Sequence, residues 1–249
     1  MSWRSFPYFI FIIFSISCQK HEPITPNSKL RTLNSALSTQ HSELLPVQHI
    51  TELQPCDILV KPNLNFIPGT TFVPGGYLFG HSVIVIRGAT DTNEVALLSK
   101  TIIFESQACD VPPEYQLRQI AGYLPGKDNR FSNTSFGPAY FGNLYRLRMD
   151  LTDGQREAII DYILDKDNDL SSYRALKRYN QELRKANNTV PLVRKQQYWY
   201  CSLLIWQAFY DVLGIDIDAN GGVYVHPNDL INSPYFKDEP GRFDKRVRF

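Results

Sequence analysis

Tyr198-Trp199-Tyr200-Cys201-Ser202-Leu203-Leu204-Ile205-Trp206-Gln207-Ala208-Phe209-Tyr210-Asp211-Val212-Leu213 contains only three plainly polar residues, Ser202, Gln207 and Asp211. A helix made from it is apolar nearly all round, so it belongs in a core and the rest of the chain is expected to wrap it. Its start falls near Tyr200-Cys201-Ser202. Its end is marked by Gly214, the residue type that most readily takes the left-handed conformation after a last helical turn. Cys201 therefore stands in the first turn. There it faces unpaired backbone N–H groups and the positive end of the helix dipole, which with a basic neighbour lower a thiol pKa to roughly 3.5–7.5.

With 43% hydrophobic and 20% charged residues, 249 residues are enough to bury one core of ordinary make-up. A net charge of +1 gives no electrostatic case for nucleic acid as a partner, and the scattered Lys and Arg residues read as solvated surface. No internal repeat is present.

Upstream, the chain opens on a targeting pattern. Arg4 supplies a small positive region, Phe6 to Ile16 an apolar run too short to span a bilayer as a stable helix, and Ser17 a small residue before Cys18. Residues 1–18 thus read as a secretory signal. Residues 19–45, rich in Pro, Thr, Ser, Asn and Gln without periodicity, read as a flexible linker. Residues 46–249 are left as one domain. Ser15-Ile16-Ser17-Cys18 resembles the lipobox of bacterial lipoproteins, which implies lipidation at Cys18 and attachment to a membrane of the bacterial envelope. Cys56, Cys109 and Cys201 then remain, and an odd number leaves at least one thiol unpaired within the monomer. Cys201 is the best candidate for the free thiol. A Cys56–Cys109 disulfide stays open, because sequence does not place the two within bonding distance.

The domain begins with Leu53-Gln-Pro-Cys-Asp-Ile-Leu-Val60, an apolar strand after a proline turn. Gly80-His-Ser-Val-Ile-Val-Ile-Arg87 is a β-branched run that reads as a buried strand with His81 at its entrance. A strand pair is expected over Asn93 to Leu98 and Lys100 to Gln107. On the second of these the period of two places Ile103, Glu105 and Gln107 on one face. Glu105 is then an acid in an apolar strand, and an unpaired buried carboxylate is costly enough that a partner is expected. Leu144 to Met149 alternates as a further strand. Thr152-Asp-Gly-Gln155 has the form of a capping box ahead of Ile159, Ile160, Ile163 and Leu164 on one helix face. Gly122 to Gly142 reads as a long loop and a candidate substrate wall, and Tyr173 to Ala186 as a polar helix, either plain surface or a lid.

A thiolate nucleophile needs an imidazole base, and the imidazole needs a third polar group to hold its tautomer and orientation. Cys201, His81 and Glu105 supply the three types. Four stretches carry a resemblance: Pro55-Cys56-Asp57-Ile58-Leu59, Gly80-His81-Ser82-Val83-Ile84-Val85, Ile103-Phe104-Glu105-Ser106 and Tyr200-Cys201-Ser202-Leu203-Leu204, with Pro227-Asn228-Asp229-Leu230 following. Together they resemble the circularly permuted relatives of papain and NlpC-type peptidases, the YiiX/YaeF branch, over about 180 residues. The order His, acid, Cys is the permuted one. The resemblance implies an α+β fold, an antiparallel sheet packed on a central helix that starts at the nucleophile Cys201, with His81 as base and Glu105 as orienting residue. It also implies a thiol hydrolase acting on an amide, either a peptidoglycan peptide or an N-acyl or isopeptide linkage, and no cofactor. Two departures stand out. Cys56 occupies a position where the family usually has Gly, and residues 165–195 look like an insertion.

Other arrangements compete. Cys201 with His226 restores the unpermuted order, but His226 precedes Pro227 in what reads as a turn. His81, Glu105 and Cys109 have metal-ligand types, yet no close-spaced ligand pair such as Cys-x-x-Cys accompanies them. A non-catalytic envelope module, or an acyltransferase between lipids, is compatible with the same residues.

Lipidation carries its own test. Expressed in a bacterial host, the mature protein is expected to partition into detergent, and Cys18→Ala to release it into the aqueous phase. A wild type that is fully aqueous and unchanged by Cys18→Ala removes the anchor from the account.

Overall fold

The computed structural model describes residues 45–62, 79–107, 112–125, 136–167, 169–173, 175–177, 198–237 and 245–249. In chain order the strands are β1 (Glu52–Leu53), β2 (Ile58–Pro62), β3 (Phe79–Arg87), β4 (Ala89–Thr90), β5 (Ile102–Ser106), β6 (Leu117–Ala121), β7 (Tyr145–Leu147), β8 (Leu170–Ser171), β9 (Tyr198–Trp199) and β10 (Arg246–Arg248). The helices are α1 (Glu94–Lys100), α2 (Asp153–Leu164), α3 (Cys201–Leu213) and α4 (Pro227–Asn232). The fold is mixed α+β. Its centre is a six-stranded sheet of order β10-β7-β2-β3-β5-β6, antiparallel at every pairing.

Alternation along the central strands sorts their side chains onto two faces. Ile58, Val60, Ile84, Phe104, Tyr145 and Leu147 belong to one apolar cluster with α2 and α3. Leu59, Val83, Val85 and Ile103 belong to a second, with Leu97, Leu98, Phe136 and Val247. Both faces are covered, so these strands lack the polar alternation of a half-exposed sheet. Helix α3 is buried without a break from Cys201 to Phe209, as its composition requires. Each of its fully buried Leu, Ile and Phe side chains contributes about 1.5–3 kcal/mol. The helix ends at Gly214 in the left-handed conformation (φ 70°), whose N–H closes the last turn on Tyr210 O.

Other expectations meet the structure unevenly. The capping box is present: Thr152 Oγ1 accepts from Gln155 N, and Gln155 Oε1 accepts from Thr152 N. Asn93 to Leu98, expected as a strand, is instead the start of α1. Asn93 caps that helix by accepting from Ala96 N, and Leu97 and Leu98 fill the second cluster. The cap at Asn93 and the acid at Glu94 decide it, since a seven-residue helix is too short for its period to stand out from alternation. Residues 1–44 with Cys18, Cys109, residues 126–135 of the expected wall and residues 168, 174 and 178–195 of the expected insertion lie outside the described residues. Among the described residues no helix is long and apolar enough to cross a membrane.

The turn into β2 departs from common backbone geometry. Cys56, at φ 69°, is the one non-glycine residue with positive φ among those described. It stands where the resemblance expects Gly. A Cβ in this region costs roughly 1–2 kcal/mol. The turn is held all the same: Cys56 N donates to Val85 O (2.8 Å), and the buried Asp57 carboxylate takes Arg148 Nε and Nη2 at 2.7 Å each and Gln54 N at 2.8 Å. Strand β3 is also fixed at its far end, because a Cβ on Gly88 would lie 1.9 Å from Leu53 O.

Two replacements at Cys56 measure that strain. Ordinarily Gly is less stable than Ala by about 0.5–1 kcal/mol. Here the order is expected to invert or vanish, with Cys56→Gly unfolding at a urea concentration no lower than Cys56→Ala. A clearly lower midpoint for Cys56→Gly would show that the turn is not strained.

Candidate active site

Cys201 is placed by both of its neighbours. Tyr200, the residue before the helix, is extended, and its phenol oxygen accepts from Val225 N at 2.9 Å. Ser202 Oγ donates to Val225 O at 2.7 Å. The two bonds clamp the first turn of α3 onto one residue of the loop ahead of α4. No side chain caps the helix start. The first-turn N–H groups and the positive end of the dipole are therefore directed at whatever charge develops near Cys201 Sγ.

His81 comes from β3 and Glu105 from β5. His81 Nε2 lies 3.0 Å from Glu105 Oε2, which leaves Nδ1 for the hydrogen bond between the ring and Cys201. The Ser82 backbone N–H donates to the same sulfur. Glu105 has a second partner across the sheet. Arg118 on β6 is its register partner and reaches Oε1 with Nε at 2.7 Å and Nη2 at 2.5 Å. The carboxylate is thus held at both oxygens, one by a guanidinium and one by the imidazole, and Glu105 is 1% exposed.

Charge follows from this geometry. Burial raises the Glu105 pKa, but His81 and Arg118 together outweigh it and the group ends below its ordinary value. Burial lowers that of His81, and its bonds to Cys201 and Glu105 outweigh it, so the imidazolium is favoured. Burial raises that of Cys201, and His81 together with the Ser82 N–H outweighs it, so the thiolate is favoured. Both shifts favour the ion pair of thiolate and imidazolium over the neutral pair. Cys56, the other described cysteine, is also an unpaired buried thiol but donates only to Arg156 O at 3.5 Å; burial pushes it up to about 12.

The three residues singled out from sequence are brought together. Two that sequence reading passed over join them, Arg118 and Lys61. Arg118 had one available signal: Leu117-Arg-Gln-Ile-Ala121 sets a cation among apolar residues in the next strand after the one whose acid lacked a partner. Lys61 had none beyond standing after Ile58-Leu-Val60. His226 is elsewhere employed, since it precedes α4, its backbone N–H donates to Asp229 Oδ2 at 2.8 Å, and its ring leans on Tyr224. Gln107 lies past the end of β5, with its N–H on Gln116 O. Among the described residues no group of three or more His, Cys, Asp or Glu side chains could hold a metal ion.

The opposite shifts of the two thiols predict selective chemistry. At pH 6 a small alkylating reagent is expected to modify Cys201 while leaving Cys56 untouched, and peptide mapping reads the ratio. Equal modification in the folded protein would show that the pair with His81 does not activate the sulfur.

No protein-family model matches this chain, and no solved structure does. The chain is similar to the uncharacterized protein YycO of Bacillus subtilis (strain 168), 32% identical over 87 residues. That stretch is 35% of this chain and 31% of YycO, so the similarity spans about a third of either protein.

Proposed function

We propose that this domain is a thiol hydrolase of the cell envelope that cleaves an amide through Cys201, His81 and Glu105 on a permuted papain-like fold, and that Cys18 tethers it to a membrane. One observation carries the reading. The sulfur at an uncapped helix start is bonded to an imidazole whose other nitrogen rests 3.0 Å from a carboxylate fixed by Arg118. A buried thiol serving only as core would need neither a base nor an orienter for the base.

The chemistry then runs in two halves. Cys201 Sγ attacks the carbonyl carbon, and the oxyanion forms where the Cys201 backbone N–H can receive it. His81 gives its proton to the departing amine, the C–N bond breaks and a thioester is left. In the second half His81 takes a proton from water, the hydroxide attacks the thioester, and the sulfur leaves as thiolate. Glu105 keeps the ring in one orientation and balances its charge through both halves, without itself becoming protonated. The amide is a peptidoglycan peptide or an N-acyl or isopeptide linkage. The reaction uses no cofactor.

The variants have graded outcomes. Cys201→Ala is expected to abolish hydrolysis of a panel of peptidoglycan peptides and N-acyl amino acids while the protein stays folded. His81→Ala is nearly as severe, and the double variant is no worse than either, since nucleophile and base act as a unit. Glu105→Gln retains an acceptor for the imidazole, but its single amide oxygen serves His81 only by turning the NH2 group toward Arg118. Its advantage over Glu105→Ala is therefore at most on the order of tenfold, about 1.4 kcal/mol of barrier, and it is expected to grow when Arg118→Met is added. Turnover at the wild-type rate by Cys201→Ala refutes the mechanism, whereas a wild type that binds members of the panel and hydrolyses none of them leaves a binding module.

A further inference from the structure

Lys61 lies in the apolar strand β2 and is 3% exposed. Its register partner is His81, so the two side chains leave the same face of the sheet. Its Nζ stands 4.8 Å from the ring centre of Tyr140 and 5.4 Å from that of Phe136, and Phe136 in turn leans on the His81 ring at 6.0 Å. The charged and titratable groups around it come from every neighbouring element. His81 on β3 lies directly across the register, Glu105 on β5 and Cys201 on α3 favour the charge of the ammonium, Arg118 on β6 lies beyond Glu105, and the Tyr140 ring lies beneath Nζ. Arg146 on β7 pairs with Leu59, two residues back on the same face. Burial brings the Lys61 pKa down to about 7, against the pull of Glu105 and Cys201 that favours its charge.

Burying an ammonium is costly, and an apolar residue of similar length would fill the space between Phe136 and Tyr140 without that cost. We propose that Lys61 is a positioning residue of the Cys201 site, a second cation that favours the thiolate alongside the charge on His81. The inference rests on Cys201 and His81 being the reacting pair. Coupling is reciprocal: if the thiolate favours the ammonium, the ammonium favours the thiolate by the same free energy. This support is present while Lys61 is protonated and is lost as pH rises through about 7.

The test is the pH dependence of Cys201 alkylation by iodoacetamide, which needs no substrate, in wild type, Lys61→Met, Lys61→Arg and His81→Ala. Lys61→Met is expected to move the inflection up by roughly one pH unit, with labelling about tenfold slower below it. Lys61→Arg, which cannot lose its charge, restores the wild-type inflection. A Lys61→Met profile that overlays wild type overturns the proposal while His81→Ala still tests the pair itself. A second measurement avoids substitution altogether. In wild-type protein carrying 13C at lysine Cε, the Lys61 resonance is expected to titrate near 7 and to move lower once Cys201 is alkylated, because the thiolate is gone. A titration unmoved by alkylation also overturns it.

Discussion

Glu105 is an ion removed from water, and the middle of the sheet is arranged around that fact. Desolvating a carboxylate costs several kcal/mol even after the protein relaxes. Here the cost is offset because Oε1 meets Arg118 and Oε2 meets His81. Those partners arrive on the strands at either side, β6 and β3, so the carboxylate is satisfied in one register alone. A one-residue slip of β6 would turn Arg118 to the opposite face and leave Glu105 bare. The same bonds that orient the imidazole thus also specify how three strands pair.

Cys56 and Cys201 show how little the residue type decides. Both are buried and both are unpaired. Cys56 meets a carbonyl oxygen and no base, and burial, with the Asp57 carboxylate beside it, outweighs the nearby Arg156 and drives it toward the neutral thiol. Cys201 sees an imidazole, a backbone N–H and an uncapped helix start, and is driven toward the thiolate. Burial acts on the two in the same direction, and the difference is supplied entirely by what stands beside the sulfur.

Much of this was legible in the chain. The all-apolar run of α3, its stop at Gly214, the capping box at Thr152 and the β-branched run around Val83 are local patterns, and local patterns survive folding. His81, Cys201 and Glu105 could be singled out because each is out of place for its element: a polar group at a strand entrance, a thiol at a helix start, an acid in a core strand. What could not be read was pairing. Arg118 and Lys61 matter through the strands opposite them, and register between distant segments leaves no trace in either segment alone. Asn93 to Leu98 misled for the reverse reason, since seven residues give too few turns for a helical period to outweigh alternation.

The sheet and the helix also differ in when they exist. His81, Glu105, Arg118 and Lys61 all lie in the first half of the chain, while Cys201 follows His81 by about 120 residues. At a synthesis rate of roughly 5–20 residues per second, that separation lasts on the order of ten seconds. During the later part of that interval, once Arg118 has been added, the growing chain carries base, orienter and cations with no sulfur to act on. The pull toward thiolate comes largely from His81 and Ser82, about 120 residues earlier in the sequence, so a chain that has not yet brought α3 against β3 carries a cysteine without the imidazole that activates it.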